Sequence, residues 1–233
     1  MGNLGLQSKF KFISTAFSAI KKYGFIPTVI ISYYELIYEF KLRSNTAHWV
    51  NSEDLDFGEQ LKEHSEPYGP SAYYSLHKGF NAIKDEIKDM SLVDFGCGLG
   101  RTLIFASLYP FRKVIGVEAS ENLCEGAKQN IKGFCDRTKL DSFKWDIVNE
   151  DARKYAIPAD SAVFYFYDPF DETIMEPVIK NIVSSAKQHP RILYAIYLAP
   201  TQRDLFYKYG FSDAYEFSKI GETCLVLKYD ESV

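Results

Sequence analysis

The sequence predicts an α/β fold: a mainly parallel sheet closed by an antiparallel C-terminal hairpin and preceded by a helical N-terminal cap. Three observations carry this. From Ser91 onward, apolar runs of strand length alternate with amphipathic helical stretches. The first of those runs feeds directly into a glycine cluster, "VDFGCGLGR". The tail "DAYEFSKIGETCLVLKYD" then breaks the rhythm with two strand-like runs flanking "KIGET". Alternation implies βαβ units with right-handed crossovers and therefore parallel strands, whereas the closing pair reads as a hairpin.

Taken in order, "MSLVDF" is a buried strand, the glycines are a tight turn, and "RTLIFASLY" is a helix that begins at once. "KVIGVEAS" is a second strand and "ENLCEGAKQNIKGFC" a helix, while "DSFKWDIVNEDARKY" holds a third strand and a loop. "SAVFYFYDPF" is a fourth strand, with Phe164 and Phe166 on one face and Tyr165 and Tyr167 on the other. "DETIMEPVIKNIVSSAKQ" is a helix that Pro177 interrupts or delays, and "RILYAIYLAP" is a fifth strand. Upstream, "SAYYSLHKGFNAIKDEIKDM" has the pattern of one helix. Two domains are expected: residues 1–85, a helical cap and the polar loop that follows it, and residues 86–233, the α/β domain.

The 233 residues are enough to bury a substantial core. A net charge of −4 argues against a nucleic-acid partner, whose phosphates call for a basic face. Cys97, Cys124, Cys135 and Cys224 lie far apart with no metal-ligand spacing, so they read as free thiols of a reducing, cytoplasmic compartment. "MGNLGLQSKFKFISTAF" lacks the apolar core of a signal peptide. "GFIPTVIISYYELIYEF" is broken by Pro27, Glu35 and Glu39 and is shorter than the roughly 20 residues of a spanning helix. Residues 1–45 nonetheless carry six lysines and arginines against Glu35 and Glu39. The favoured reading is a cap whose apolar stripes pack on the domain; peripheral contact with an anionic membrane is the alternative.

Glycine loses the most backbone entropy on folding, so a cluster marks positive φ or close approach of a ligand. Gly96, Gly98 and Gly100 form G-x-G-x-G, whereas the pyrophosphate fingerprint is G-x-G-x-x-G. Glu118 ends the second strand about 20 residues later, where a carboxylate can accept from both hydroxyls of a ribose. Asp151, in "EDA" with Ala152 after the third strand, can meet the amino group of an adenine or simply cap a helix. Open α/β sheets bind ligands at these strand ends.

In order and spacing, "VDFGCGLGR", "VIGVEAS", "NEDARKY" and "FYDPF" resemble the motifs of class I S-adenosylmethionine-dependent methyltransferases. The resemblance covers roughly residues 68–233 and implies a Rossmann-like, seven-stranded sheet. It implies S-adenosyl-L-methionine near Asp94, Gly96, Gly98 and Gly100, with Glu118 on the ribose and Asp151 by the adenine. "YGPSAY" and the Tyr-x-Pro-Phe run look like an uncharacterised bacterial subgroup, which usually has Asn where this chain has Asp168. A looser similarity links "DFGCGLGR" to non-SET protein lysine methyltransferases.

Such chemistry needs alignment more than activation, since the methyl group leaves a sulfonium. Asp168 emerges at the end of the fourth strand, where it either takes a hydrogen bond from an acceptor amine or caps the helix starting near Asp171. Phe170 stacks on the acceptor or fills the core. The resemblance implies that the segment carrying Tyr68 and Ser71 folds over the cofactor, where both can contact the methionine carboxylate; the alternative is an interdomain linker in which Ser71 caps a helix. His77 reads as structural rather than as a base, and Arg101 as a brace for the N-terminal segment. The expected acceptor is an amine nitrogen, of a protein lysine or of a small molecule. The rival functions are a non-catalytic S-adenosylmethionine-binding regulator, an O-methyltransferase acting on an envelope or lipid precursor, and a nicotinamide oxidoreductase, which the early third glycine disfavours.

Overall fold

Ser91–Phe95 form β1, five residues with no exposed side chain, in the interior of a seven-stranded sheet. A strand covered on both faces is mainly apolar, which is what "SLVDF" supplies apart from Ser91 and Asp94. The structure, a computed structural model, describes residues 19–47, 49–50, 55–56, 58, 61, 63–65 and 68–231. The strands are β2 Lys113–Glu118, β3 Trp145–Asn149, β4 Ser161–Tyr167, β5 Leu193–Leu198, β6 Ser212–Phe217 and β7 Cys224–Tyr229. Their order is β3-β2-β1-β4-β5-β7-β6. The first five run parallel, and β7 lies antiparallel between β5 and β6, as the hairpin reading predicts.

Among the described residues the named helices are α1 Phe25–Leu42, α2 Tyr73–Ala82, α3 Arg101–Ala106, α4 Glu121–Thr138, α5 Glu172–Gln188 and α6 Arg203–Lys208. Side-chain alternation along the strands divides the core into two layers. Leu92, Val114, Val163, Tyr165 and Ile196 pack with α2, α3 and α4. Phe95, Val117, Phe164, Phe166 and Tyr197 pack with α5 and α6 on the other face. Phe95 and Phe166 lie stacked across β1 and β4 at 5.4 Å, a geometry worth about 0.5–1.5 kcal/mol beyond burial.

The chain passes from β3 at one edge back across β1 to β4, so the strand order reverses between β1 and β4. The connections leave on opposite faces there and open a crevice at the carboxyl ends of the strands.

Two helices differ from their sequence reading. α2 ends at Ala82 instead of running on to Met90, because Ile83 and Ile87 turn fully into the core and the chain must bend into β1. α5 runs unbroken through Pro177: one i→i−4 hydrogen bond is forfeited, and burial of Ile174, Met175, Val178 and Ile179 on the sheet holds the helix across the gap. Within the N-terminal region expected to be helical, "FIPTVIISYYELIYEFKL" forms α1, and residues 1–18 lie outside the described residues.

Candidate active site

The cleft at the β1/β4 crevice has a volume of about 870 Å³, its open mouth included. Its walls come from the ends of four parallel strands: Asp94 in β1 with Gly96 and Cys97 after it, Val117 to Ala119 at β2, Glu150 to Ala152 after β3, and Tyr165, Tyr167, Pro169 and Phe170 at β4. Leu55, Leu61, Ser65, Tyr68 and Ser71 of the preceding segment close it from above.

Gly96, Gly98 and Gly100 have φ of 75°, 51° and 82°, a region that side chains rarely enter. Gly98 is further constrained: a Cβ there would lie 2.0 Å from the Tyr68 ring, which rests on the turn. The turn's amides are used internally. Gly96 and Cys97 donate to the Val117 carbonyl, Gly100 donates to the Cys97 carbonyl, and Gly98 donates to Glu118 Oε2 at 3.0 Å. Glu118 Oε1 accepts from the Ser120 amide at 3.0 Å, so this one carboxylate ties β2 to the glycine turn while still facing the cleft.

Asp94 and Glu118 are 2% and 8% exposed. Burial, then the neighbouring Glu118 charge, pushes the Asp94 carboxyl well above the ordinary carboxylate range, against a hydrogen bond from Thr102. Burial raises Glu118 too, opposed by the amides of Ser120 and Gly98. Asp151 goes the other way: Arg153 grips it through Nε and Nη2 and holds its pKa low.

Arg101 opens α3 and braces the N-terminal segment, as its position predicts. Its Nη1 donates to Glu35 of α1 at 3.0 Å and to the Ser71 carbonyl, and its Nε donates to Thr46. Glu35 Oε1 also accepts from the Tyr73 amide at 2.7 Å, so α1 caps α2. The cap residue of α2 is Ala72, not Ser71; the Ser71 hydroxyl instead accepts from Tyr165 at 2.8 Å.

Solved structures place this architecture. The methyltransferase domain of bacterial CtHen1 superposes with a TM-score of 0.51 at 14% identity, covering 66% of this chain and 96% of that one. A proposed S-adenosylmethionine-dependent methyltransferase from Listeria monocytogenes gives 0.51 at 12% identity, covering 69% and 100%. The fold is that of the class I methyltransferases. A protein of the NADB-Rossmann superfamily from Streptococcus agalactiae is alike at TM-score 0.51 and 17% identity, covering 67% and 68%, which fits a Rossmann-like sheet. No protein-family model and no curated protein matches the sequence.

Within this methyltransferase fold, Tyr68, Ser71, Asp94, Gly96, Glu118, Asp151, Ala152 and Phe170 line one cleft. Gly98 and Gly100 form the turn behind it. Asp168 is placed otherwise than expected. Its side chain is absent from the lining, because Oδ1 accepts from the Tyr197 hydroxyl at 3.1 Å and from Thr201. Nor does it cap α5; Asp171 does, accepting from the Thr173 amide. Phe170 is partly buried and pairs through its backbone with Ser65. His77 shares hydrogen bonds with Tyr38 and Asn81 away from the cleft, which is a structural role. Tyr167, Pro169 and Glu150 also line the cleft and were not singled out by the sequence reading; their place at strand ends was the available signal.

Proposed function

We propose that the protein binds S-adenosyl-L-methionine in this cleft and transfers its methyl group to an amine nitrogen. The observation that carries the reading is the occupation of the glycine-turn amides. Gly96, Cys97, Gly98 and Gly100 all donate inside the protein, and two buried carboxylates stand beside them. A pyrophosphate would find these four donors taken and negative charge next to it, which disfavours a dinucleotide. A ligand bringing ribose hydroxyls, an ammonium and a sulfonium supplies what Asp94 and Glu118 lack, so the residues present fit this cofactor.

Glu118 accepts from the ribose hydroxyls, Asp151 and the Ala152 backbone border the adenine, and Asp94 faces the cationic end. Tyr68 and Ser71 close over the amino-acid portion. The bound cofactor supplies a methyl group on a good leaving group. The chain's part is to exclude water and align the attacking lone pair. Tyr167, Pro169 and Phe170 form the acceptor wall, and Phe170 stacks on the incoming group. Asp168 is a positioning residue here: held by Tyr197 and Thr201, it sets the turn that presents the wall. An amine suits a lining that carries Asp94, Glu118, Glu150 and Asp151; Arg153 already holds Asp151, and Arg101, the cation among the described lining residues, is met by Glu35 and Glu39.

Incubation of the purified protein with methyl-labelled S-adenosylmethionine and cell extract tests this. Label that survives base treatment and is recovered as an N-methyl group on a secondary, tertiary or quaternary nitrogen supports the reading. Label released by base as methanol marks an ester and contradicts the choice of nitrogen.

A further inference from the structure

α1 is apolar on the side it turns away from the protein. Tyr34 and Tyr38 pack inward against the core, and Glu35 and Glu39, its only acids, point to Arg101. On the opposite side Phe25, Val29, Tyr33, Leu36, Ile37 and Phe40 recur at helical spacing and are between 40% and 76% exposed. No charged side chain interrupts this stripe, which runs the length of a helix of about 27 Å. Intramolecular packing of the cap thus accounts for one side of α1 only. A soluble helix rarely leaves so continuous an apolar stripe in water.

The charges around the stripe say what covers it. Lys21 and Lys22 precede the helix, Lys41 and Arg43 follow its outer face, and all four are exposed. Lys22 lies 3.6 Å from Glu222, which offsets part of its charge, and Arg43 lies over the Phe40 ring at the rim. A second copy laid on this face would set cations against cations with no acid on the stripe to answer them. An anionic lipid surface answers both features, taking the apolar side chains at the acyl boundary and the rim cations among the headgroups.

We propose that α1 is a docking helix that lays the protein on an anionic bilayer surface without crossing it. No helix among the described residues is long and apolar enough to span. The inference stands apart from the methyl-transfer reading. Geometry joins the two, because the inner side of the same helix holds Arg101 in the wall of the cleft. A surface-bound enzyme would then meet its acceptor at the membrane.

Flotation of the full-length protein with vesicles tests the proposal. Phosphatidylcholine vesicles containing phosphatidylglycerol should carry the protein at low salt, and pure phosphatidylcholine should not. Each rim cation is worth about fivefold in partitioning near an anionic surface, so Lys21→Glu/Lys22→Glu should lower it at least tenfold. Raising salt from about 0.1 M to about 1 M shortens screening from ~10 Å to ~3 Å and should weaken binding. Leu36→Glu/Phe40→Glu should abolish flotation while leaving the melting temperature within a few degrees, since both side chains are exposed. The proposal is overturned if the wild type fails to float, or if the face variant floats as well as wild type. It is equally overturned if the wild type sediments as a dimer that the face variant splits and that ignores vesicles.

Discussion

Arg101 Nη1 meets Glu35 Oε2 at 3.0 Å, joining α3 to a residue of α1 66 positions earlier. The guanidinium also reaches Thr46 and the Ser71 carbonyl and lies over the Tyr73 ring at 4.4 Å. One side chain therefore pins three cap segments to the wall of the cleft.

Arg101→Ala should destabilise the protein by about 2–3 kcal/mol, because it leaves the carboxylate of Glu35, held in this network, without its cation. Arg101→Lys should recover little, since a single ammonium cannot make the forked set of contacts. Chemical denaturation of both variants measures this, and a lysine variant of wild-type stability would refute the fork argument.

Glu118→Ala should lower S-adenosylmethionine affinity at least tenfold, each hydrogen bond to a charged group being worth about 1.5–3 kcal/mol. It also frees the Gly98 and Ser120 amides, so the turn should gain hydrogen-exchange rate while the sheet keeps its protection. Unchanged affinity would remove Glu118 from the binding site.

Gly98→Ala places a methyl 2.0 Å from the Tyr68 ring at a φ of 51°. The clash should couple the two positions. Tyr68→Ala/Gly98→Ala should be less damaged than the two single variants together by roughly 0.5–3 kcal/mol, leaving the positive-φ strain of about 1–2 kcal/mol. Additive losses in a double-mutant cycle would mean that Tyr68 does not rest on the turn.

Burial and the Glu118 charge raise the Asp94 carboxyl in the folded protein. A raised acid binds its proton more tightly when folded, so its stabilising contribution is complete below the unfolded pKa and is lost as pH rises through the folded one. Asp94→Asn should therefore flatten the decline in ligand-free stability above about pH 4, the ordinary range of an unfolded aspartate. A cationic ligand favours the ionised pair, so binding should release protons, detectable by calorimetry in buffers of different ionisation enthalpy. Binding with proton uptake would contradict this assignment.

The sheet was legible because its information is local. Alternating runs, the glycine turn and the closing hairpin each lie within a few residues of sequence, and burial of β1, β4 and β5 follows from their composition. The strand-end carboxylates were legible for the same reason. Asp168 was not, since Tyr197 and Thr201, which hold it, lie 29 and 33 residues away and nothing near "YDPF" announces them. The direction of the turn amides was equally hidden, because Glu118 claims one from the neighbouring strand. α1 shows a third limit: a helix apolar nearly all round has a periodicity too weak to say which side is covered.

Isothermal calorimetry on the full-length protein tests the central claim most directly. The account predicts that S-adenosylmethionine and S-adenosylhomocysteine bind with micromolar affinity at one site per chain and that NAD gives no heat. NAD binding in preference to either would contradict the assignment of this cleft, as would the absence of binding by all three.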